Sequence, residues 1–324
     1  MKAIVITRPG GPEVLELREV PAPEPARGEV RVRARATAVN RADLLQRMGQ
    51  YPAPPDAPPD IPGLELAGEI DALGPGVRDW AVGDRVFGLC GGGAYAEQVV
   101  VHARTVARIP AALSFTDAAA VPEAFITAWD AAVTQAGLAA GETLLVHAVG
   151  SGVGTAAAQI ARAIGARSIG TARTADKLER ARALGLDHGV LAADGRFAEA
   201  VAKVGAADVI LELVGGAYLA EDLRCVAPRG RIVLVGLMAG ARAELDLGVI
   251  LRQRLRVLGT VLRARPLEEK IAVTQAFARH LVPLFERGVL RPVVDRVLPL
   301  SAAAEAHSHM ASNAGFGKVV LEVP

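Results

Sequence analysis

The chain has 324 residues, enough for about two domains. Apolar residues make up 51% and charged residues 22%, with a net charge of +1, which excludes a disordered chain and the strong basic excess of a nucleic-acid or membrane-surface protein. Cys90 and Cys225 are too few for a disulfide framework or a four-cysteine zinc lobe and suit a reducing, cytoplasmic compartment. The segment Met1–Arg8 reads as a short strand ending in a charge, not as a signal peptide.

The first hundred residues read as short strands separated by turns. Residues 14–20 and 29–36 alternate polar with apolar, as half-buried strands do. Prolines at 21–25 and 52–62 exclude helix there. Residues 63–70 form another strand before the turn Gly74-Pro75-Gly76, and residues 83–88 look like a hairpin edge. This spacing predicts a small β-barrel-type domain.

Near residue 116 the pattern changes to helices alternating with apolar strands. The strands expected are Thr143–Ala148, Arg167–Thr171, Asp208–Val214, Gly230–Gly236 and Arg256–Val261, with a weaker one at Gly189–Leu191. Such β-α alternation predicts an α/β domain with a doubly wound parallel sheet. Residues 143–161 lack Asp, Glu, Lys and Arg, but three glycines within five residues mark a strand, a turn and a helix, not a membrane span.

A helix is expected from Leu267 to about Arg287. The strands that follow, residues 293–300 and 318–323, break the β-α rhythm and are expected to return to the first domain. The predicted division is therefore 1–118 and 261–324 for a discontinuous catalytic domain, with 119–260 as an inserted nucleotide-binding domain.

The stretch Val146–Ile160 carries a strand, a glycine-rich turn and a helix. Gly150, Ser151, Gly152, Val153 and Gly154 would let backbone N–H groups and a helix N-terminus approach a pyrophosphate. The spacing is G-x-G-x-G, so its weight comes from the surrounding β-α array. NAD enzymes usually place an acid at the end of the second strand, on the ribose 2′-hydroxyl. Here that place holds Arg173, with Lys177 in the first turn of a helix expected to be capped by Thr174. A cation there opposes the helix dipole, and a 2′-phosphate between Arg173 and Lys177 would relieve the conflict. NADPH is the cofactor expected. Val214, Gly215, Gly236 and Leu237, at strand ends by the switch point, should add contacts.

Four segments together resemble the quinone oxidoreductases that lack zinc in the medium-chain dehydrogenase/reductase superfamily, and most resemble their p53-inducible branch. They are residues 40–51 (NRADLLQRMGQY), 121–129 (VPEAFITAW), 151–157 (SGVGTAA) and 317–321 (GKVVL). The resemblance implies a GroES-like catalytic domain, a Rossmann domain, a cleft between them, NADPH, and reduction of quinones or similar conjugated carbonyls. Zinc members carry a Gly-His-Glu motif. The matching stretch is Gly63-Leu64-Glu65, and Asn40 stands where a ligand cysteine would be, so no metal is expected. None of the six histidines, His147 and the pair His307-x-His309 included, shows a ligand constellation in the sequence.

By the resemblance, Asn40, Tyr51 and Thr127 surround the nicotinamide and the quinone. Tyr51 would orient the acceptor and donate a proton, Thr127 would bond the nicotinamide side, and Asn40 would hold the geometry. Asp43, Glu65 and Glu123 are expected as structural hydrogen-bond partners. Two positions depart from the family. Leu45 replaces a second tyrosine, and Ala192 replaces a tyrosine that helps to hold the 2′-phosphate. Selectivity then rests on Arg173 and Lys177, with Lys318 as a further candidate. A homodimer through an outer strand near Gly230–Gly236 is expected, with a small-molecule quinone or conjugated carbonyl as partner and no nucleic acid or membrane. Two other functions fit the same residues: an enone or 2-alkenal reductase, or a slow-turnover NADPH-binding sensor.

Overall fold

The computed structural model describes residues 1–324. Two compact units divide the chain, Met1–Ile126 with Leu262–Pro324, and Thr127–Val261.

The first unit opens with the antiparallel pair β1 (Lys2–Ile6) and β2 (Leu15–Glu19). Strand β3 (Glu29–Ala38), helix α1 (Arg41–Arg47) and strands β4 (Glu65–Leu73), β5 (Arg85–Leu89), β6 (Gln98–His102) and β7 (Val106–Arg108) follow. The alternation of β3 sorts its two faces. Val30, Val32, Ala34 and Ala36 are buried in the core, whereas Arg31 pairs with Asp71 at 2.8 Å and Arg33 and Arg35 share Glu69. Helix α2 (Phe115–Ala119) is capped by Ser114, whose Oγ accepts the Asp117 N–H, and packs on β3 and β4. The start of helix α3 (Pro122–Trp129) also stays with this unit, its Glu123 N–H bonding Glu65 Oε2 and its Phe125 ring lying 4.8 Å from that of Phe285, so the boundary falls at Ile126 and not at the expected 118.

The second unit holds six parallel strands, β8 (Thr143–Val146), β9 (Arg167–Ala172), β10 (His188–Leu191), β11 (Ala207–Glu212), β12 (Val226–Leu234) and β13 (Arg256–Gly259). They lie in the order β10-β9-β8-β11-β12-β13, so the winding reverses between β8 and β11. Helices α4 (Gly152–Ala163), α5 (Ala175–Arg182), α6 (Ala198–Val204), α7 (Tyr218–Cys225) and α8 (Leu247–Gln253) connect them. Leu144, Leu145, Val209, Ile210, Leu211 and Ile232 are wholly buried, as parallel strands covered on both faces must be. The charge-free stretch resolves into β8, a turn and α4, and no helix is long and apolar enough to cross a membrane. One expectation is corrected. The strand at Gly230–Gly236 belongs to β12, which is hydrogen-bonded on both sides, and the outer strands are β10 and, next to β12, β13.

The chain then re-enters the first unit. The expected helix 267–287 is broken into α9 (Leu267–His280) and α10 (Val282–Glu286), because Pro283 has no N–H to continue the ladder. After β14 (Val294–Pro299) and α11 (Ala303–Ser312), strand β15 (Lys318–Glu322) pairs antiparallel with β3 and parallel with β14. The late strands do return to the first sheet, and this return sets Lys318 beside Asn40.

Candidate active site

In the second unit, the carboxyl ends of β8, β9, β11 and β12 carry the glycine turn and the segments expected to hold a nucleotide. The Val149 N–H bonds Thr171 O at 2.9 Å, which ties the turn to the end of β9. Ser151 caps α4 by accepting the Gly154 N–H at 3.0 Å. The next N–H groups of the first turn, on Gly152 and Val153, have no acceptor within the helix. A Cβ on Gly154 would lie 2.5 Å from Ala148 O, so only glycine lets the helix start this close to the turn. Arg173 is exposed just past β9, and Lys177 is half-buried in the first turn of α5. The hydroxyl of Thr174 bonds Asp176 and makes no capping bond to the helix backbone. At the ends of β11 and β12, Gly215 has φ +73°, and Ala239 N–H bonds Val214 O at 2.7 Å. This brings Val214–Gly215 and Gly236–Leu237 together, with Leu237 half-exposed. Amides without a helical acceptor, two cations at the end of β9 and the start of α5, and the reversal of winding between β8 and β11 suit a phosphorylated dinucleotide. In the same unit Thr127 is buried, and its Oγ1 has no hydrogen-bond partner in the chain, as a hydroxyl kept for a ligand would be.

In the first unit, β3, α1, β4, α3 and β15 converge on a polar cluster. Asn40 Nδ2 donates to Glu65 Oε1 at 2.8 Å, and Lys318 Nζ donates to Asn40 Oδ1 at 2.5 Å. Lys318 Nζ also lies 2.7 Å from Glu65 Oε1 and bonds Val39 O at 3.1 Å. The other Glu65 oxygen accepts the Glu123 N–H at the start of α3. Asp43 accepts from the amides of Asn40 and Gly63 and from Tyr95 Oη. Burial pushes its carboxyl up to about 6, against the pull of those amides and of Lys318. Burial, with the Glu65 charge second, pushes Glu123 up to about 8, so it is largely protonated at neutral pH.

Tyr51 lies beside this cluster. The Arg263 guanidinium sits 5.2 Å from its ring centroid and donates to Gln46 Oε1, Gly91 O and Tyr51 O. Burial raises the Tyr51 phenol above its ordinary value, with Arg263 opposing the rise, so it remains a proton donor at neutral pH. A small cavity lined by Leu64, Cys90, Glu123, Arg263 and Lys270 adjoins them.

Comparison with known proteins matches residues 26–111 to the alcohol dehydrogenase GroES-like domain and residues 152–278 to the zinc-binding dehydrogenase domain. A quinone oxidoreductase of Pseudomonas aeruginosa is 35% identical over 328 residues, covering 99% of both chains. The chain belongs to the quinone oxidoreductase family of the medium-chain dehydrogenase/reductase superfamily. The solved Escherichia coli quinone oxidoreductase, complexed with NADPH, superposes with a TM-score of 0.89 at 30% identity over 99% of this chain and all of that one. The polyketide synthase GfsB of Streptomyces halstedii is 40% identical over 300 residues, but the chain spans only 5% of that protein.

The zinc-binding description of one family model does not fit the residues at the positions where a metal would be expected. Leu64 is an apolar core residue with no donor atom, and the Lys318 ammonium already lies between Asn40 and Glu65. The same geometry corrects the candidate 2′-phosphate role of Lys318. Its ammonium is 4% exposed and neutralised by Glu65, whereas Arg173 is exposed.

Sequence reasoning missed Arg263, whose partners at 46, 51 and 91 are far away along the chain. It also missed Tyr95 with His307, buried at 3.1 Å from each other. In the second unit it saw no partners for His147, yet His147, Glu212 and Asp222 meet with zero exposure. A histidine ending a buried apolar strand and an acid ending another were the available signals.

Proposed function

We propose that this chain is an NADPH-dependent quinone reductase that transfers hydride from the nicotinamide to a quinone without a metal or flavin. The observation that carries the reading is the Lys318 ammonium held between Asn40 Oδ1 and Glu65 Oε1. An internal cation stands beside Asn40, where by the resemblance zinc relatives carry a ligand cysteine, so the chemistry is left to acceptors that need no Lewis acid. A quinone is such an acceptor, because its ring delocalises the incoming electrons.

NADPH supplies the hydride. Gly150, Ser151, Gly152, Val153 and Gly154 are assigned to its pyrophosphate, and Val214, Gly215, Gly236 and Leu237 to the crevice at the strand ends. Arg173 and Lys177 are assigned to its 2′-phosphate. Thr127, with its unpartnered Oγ1, is assigned to the nicotinamide side. Tyr51 orients the quinone and hydrogen-bonds the oxygen on which negative charge grows. Asn40, fixed by Glu65 and Lys318, holds the local geometry. Glu65 and Asp43 are structural: each accepts donors that position Asn40 or the start of a helix.

A homodimer built through the exposed outer strand β13 is part of the proposal. Val257 on that strand and Leu247 and Leu251 on α8 are exposed apolar side chains. Two unpaired cysteines support a reducing, cytoplasmic setting.

Steady-state turnover with NADPH on a panel of ortho- and para-quinones, set against a 2-alkenal and an enone, tests the function. Higher kcat/KM for quinones is expected. Preference for the alkenal would favour the enone-reductase reading, and tight NADPH binding with no turnover would favour a sensor.

A further inference from the structure

Three of the segments assigned to the cofactor emerge from one buried cluster. His147 stands three residues before Gly150 of the glycine turn, Thr171 two before Arg173, and Glu212 two before Val214. His147 Nδ1 lies 2.8 Å from Thr171 Oγ1, and Nε2 lies 2.8 Å from Asp222 Oδ1 and 3.7 Å from Glu212 Oε2. Glu212 Oε1 accepts the N–H groups of Val214 and Gly215, which fixes the loop after β11. The rings of Phe197 and Tyr218 close over His147 at 4.6 Å and 5.1 Å between centroids. His147, Glu212 and Asp222 have no exposed surface.

The charges do not balance if both carboxyl groups are ionised. Burial lowers His147 to about 4, so the imidazole is neutral. Thr171 Oγ1–H then donates to Nδ1, and Nε2–H donates to Asp222 Oδ1. Glu212 Oε2 and Asp222 Oδ2 have no donor of their own among the ordinary hydrogen bonds of the chain. A proton on Glu212 Oε2, shared with Asp222, satisfies both oxygens and leaves one charge in place of two. The other titratable groups around the pair give it no cation. They are Glu221 and Cys225 on α7, and Tyr218, which Arg173 and Asp194 face from the outside.

We propose that His147, Thr171, Glu212 and Asp222 form a positioning unit for the cofactor, with one proton held between the two carboxyl groups, and that loss of this proton to solvent weakens nucleotide binding. The proposal rests on the assignment of these loops to NADPH. With the proton in place, Glu212 stays beside Asp222 and holds the Val214 and Gly215 amides. Without it, two buried carboxylates repel, Glu212 moves, and the loop after β11 moves with it. The four residues need not touch the nucleotide to do this.

The test is the dissociation constant of the purified protein for NADPH and for NADH, read by fluorescence from about pH 6 to about pH 9. The free protein loses the proton at lower pH than the complex, so affinity is full at the acid end and falls as pH rises. One pKa unit of coupling gives a roughly tenfold rise in Kd for both nucleotides. Glu212→Gln keeps an oxygen for the two amides and gives Asp222 a permanent donor, and Asp222→Asn gives Glu212 one. In both variants the ratio of Kd at the two ends should fall to near unity, whatever the absolute affinity. A rise with NADPH alone belongs to the protein groups that meet its 2′-phosphate and overturns the proposal, as does a rise that survives both substitutions. A stoichiometric metal removed from His147 and the carboxyl pair by chelation would also overturn it, since a metal ion would then replace the proton. No binding of either nucleotide at any pH would overturn the cofactor assignment itself.

Discussion

Replacing Lys318 by methionine isolates the interior cation. The side chain keeps nearly its length and loses its charge, which removes the bonds to Glu65 Oε1, Asn40 Oδ1 and Val39 O. Glu65 is wholly buried and Lys318 only 4% exposed, so water cannot take over the lost partner. Leaving one member of a buried pair unpaired costs about 3–5 kcal/mol, against about 0–1 kcal/mol for an exposed pair. The unfolding equilibrium of the first unit should therefore shift by a factor of roughly 100 to 5,000. Trp80 lies in that unit and Trp129 in the other, so urea unfolding followed by fluorescence in a Trp129→Phe background reports the first unit alone. Adding Glu65→Gln removes the stranded charge and should recover more than half of the loss. A Lys318→Met cost below about 1 kcal/mol, or no recovery in the double variant, would refute the internal ion pair.

Arg173→Ala with Lys177→Ala should weaken NADPH by roughly 100-fold or more and NADH hardly at all, since each of the two charge-assisted bonds contributes about 1.5–3 kcal/mol when formed. Equal losses in titrations with both nucleotides would refute the 2′-phosphate site. Glu123 is raised to about 8 in the folded protein, so folding favours its protonated form. Its contribution is full below its ordinary carboxyl range and is lost as pH rises towards 8, so Glu123→Gln should gain stability relative to the parent at pH above about 8, by about 1 kcal/mol or more. Equal urea midpoints at high and low pH would contradict this. Val257→Lys on the outer strand should convert a dimer to monomers in light scattering, and an unchanged mass would remove β13 as the interface.

The fold was legible wherever burial imposes a period. The alternation of β3 and the apolar runs Val209–Leu211 in β11 and Ile232–Leu234 in β12 follow from one and two covered faces. Boundaries were less legible, because tertiary packing decided them. The start of α3 stays with the first unit through the Glu123 N–H bond to Glu65 and the packing of Phe125 on Phe285, partners that nothing in its own sequence announces. The glycine turn could be read locally because its strand, turn and helix are contiguous. The Asn40–Glu65–Lys318 cluster could not, since Lys318 reaches Asn40 only through the pairing of β15 with β3. His147, Glu212 and Asp222 were illegible for the same reason. His147 and Glu212 are single polar residues in apolar runs, Asp222 sits beside Glu221 and Arg224 on α7, and the strand order that joins them is not written in any one segment.

The central claim, hydride passing from NADPH to a quinone without a metal, is tested most directly with NADPH deuterated at nicotinamide C4. Chelator-treated protein of measured metal content should oxidise it with a quinone present, at a rate slowed by a primary isotope effect and unchanged by added zinc. Turnover that vanishes on chelation and returns with zinc, or quinone-independent oxidation at the same rate, would contradict the account.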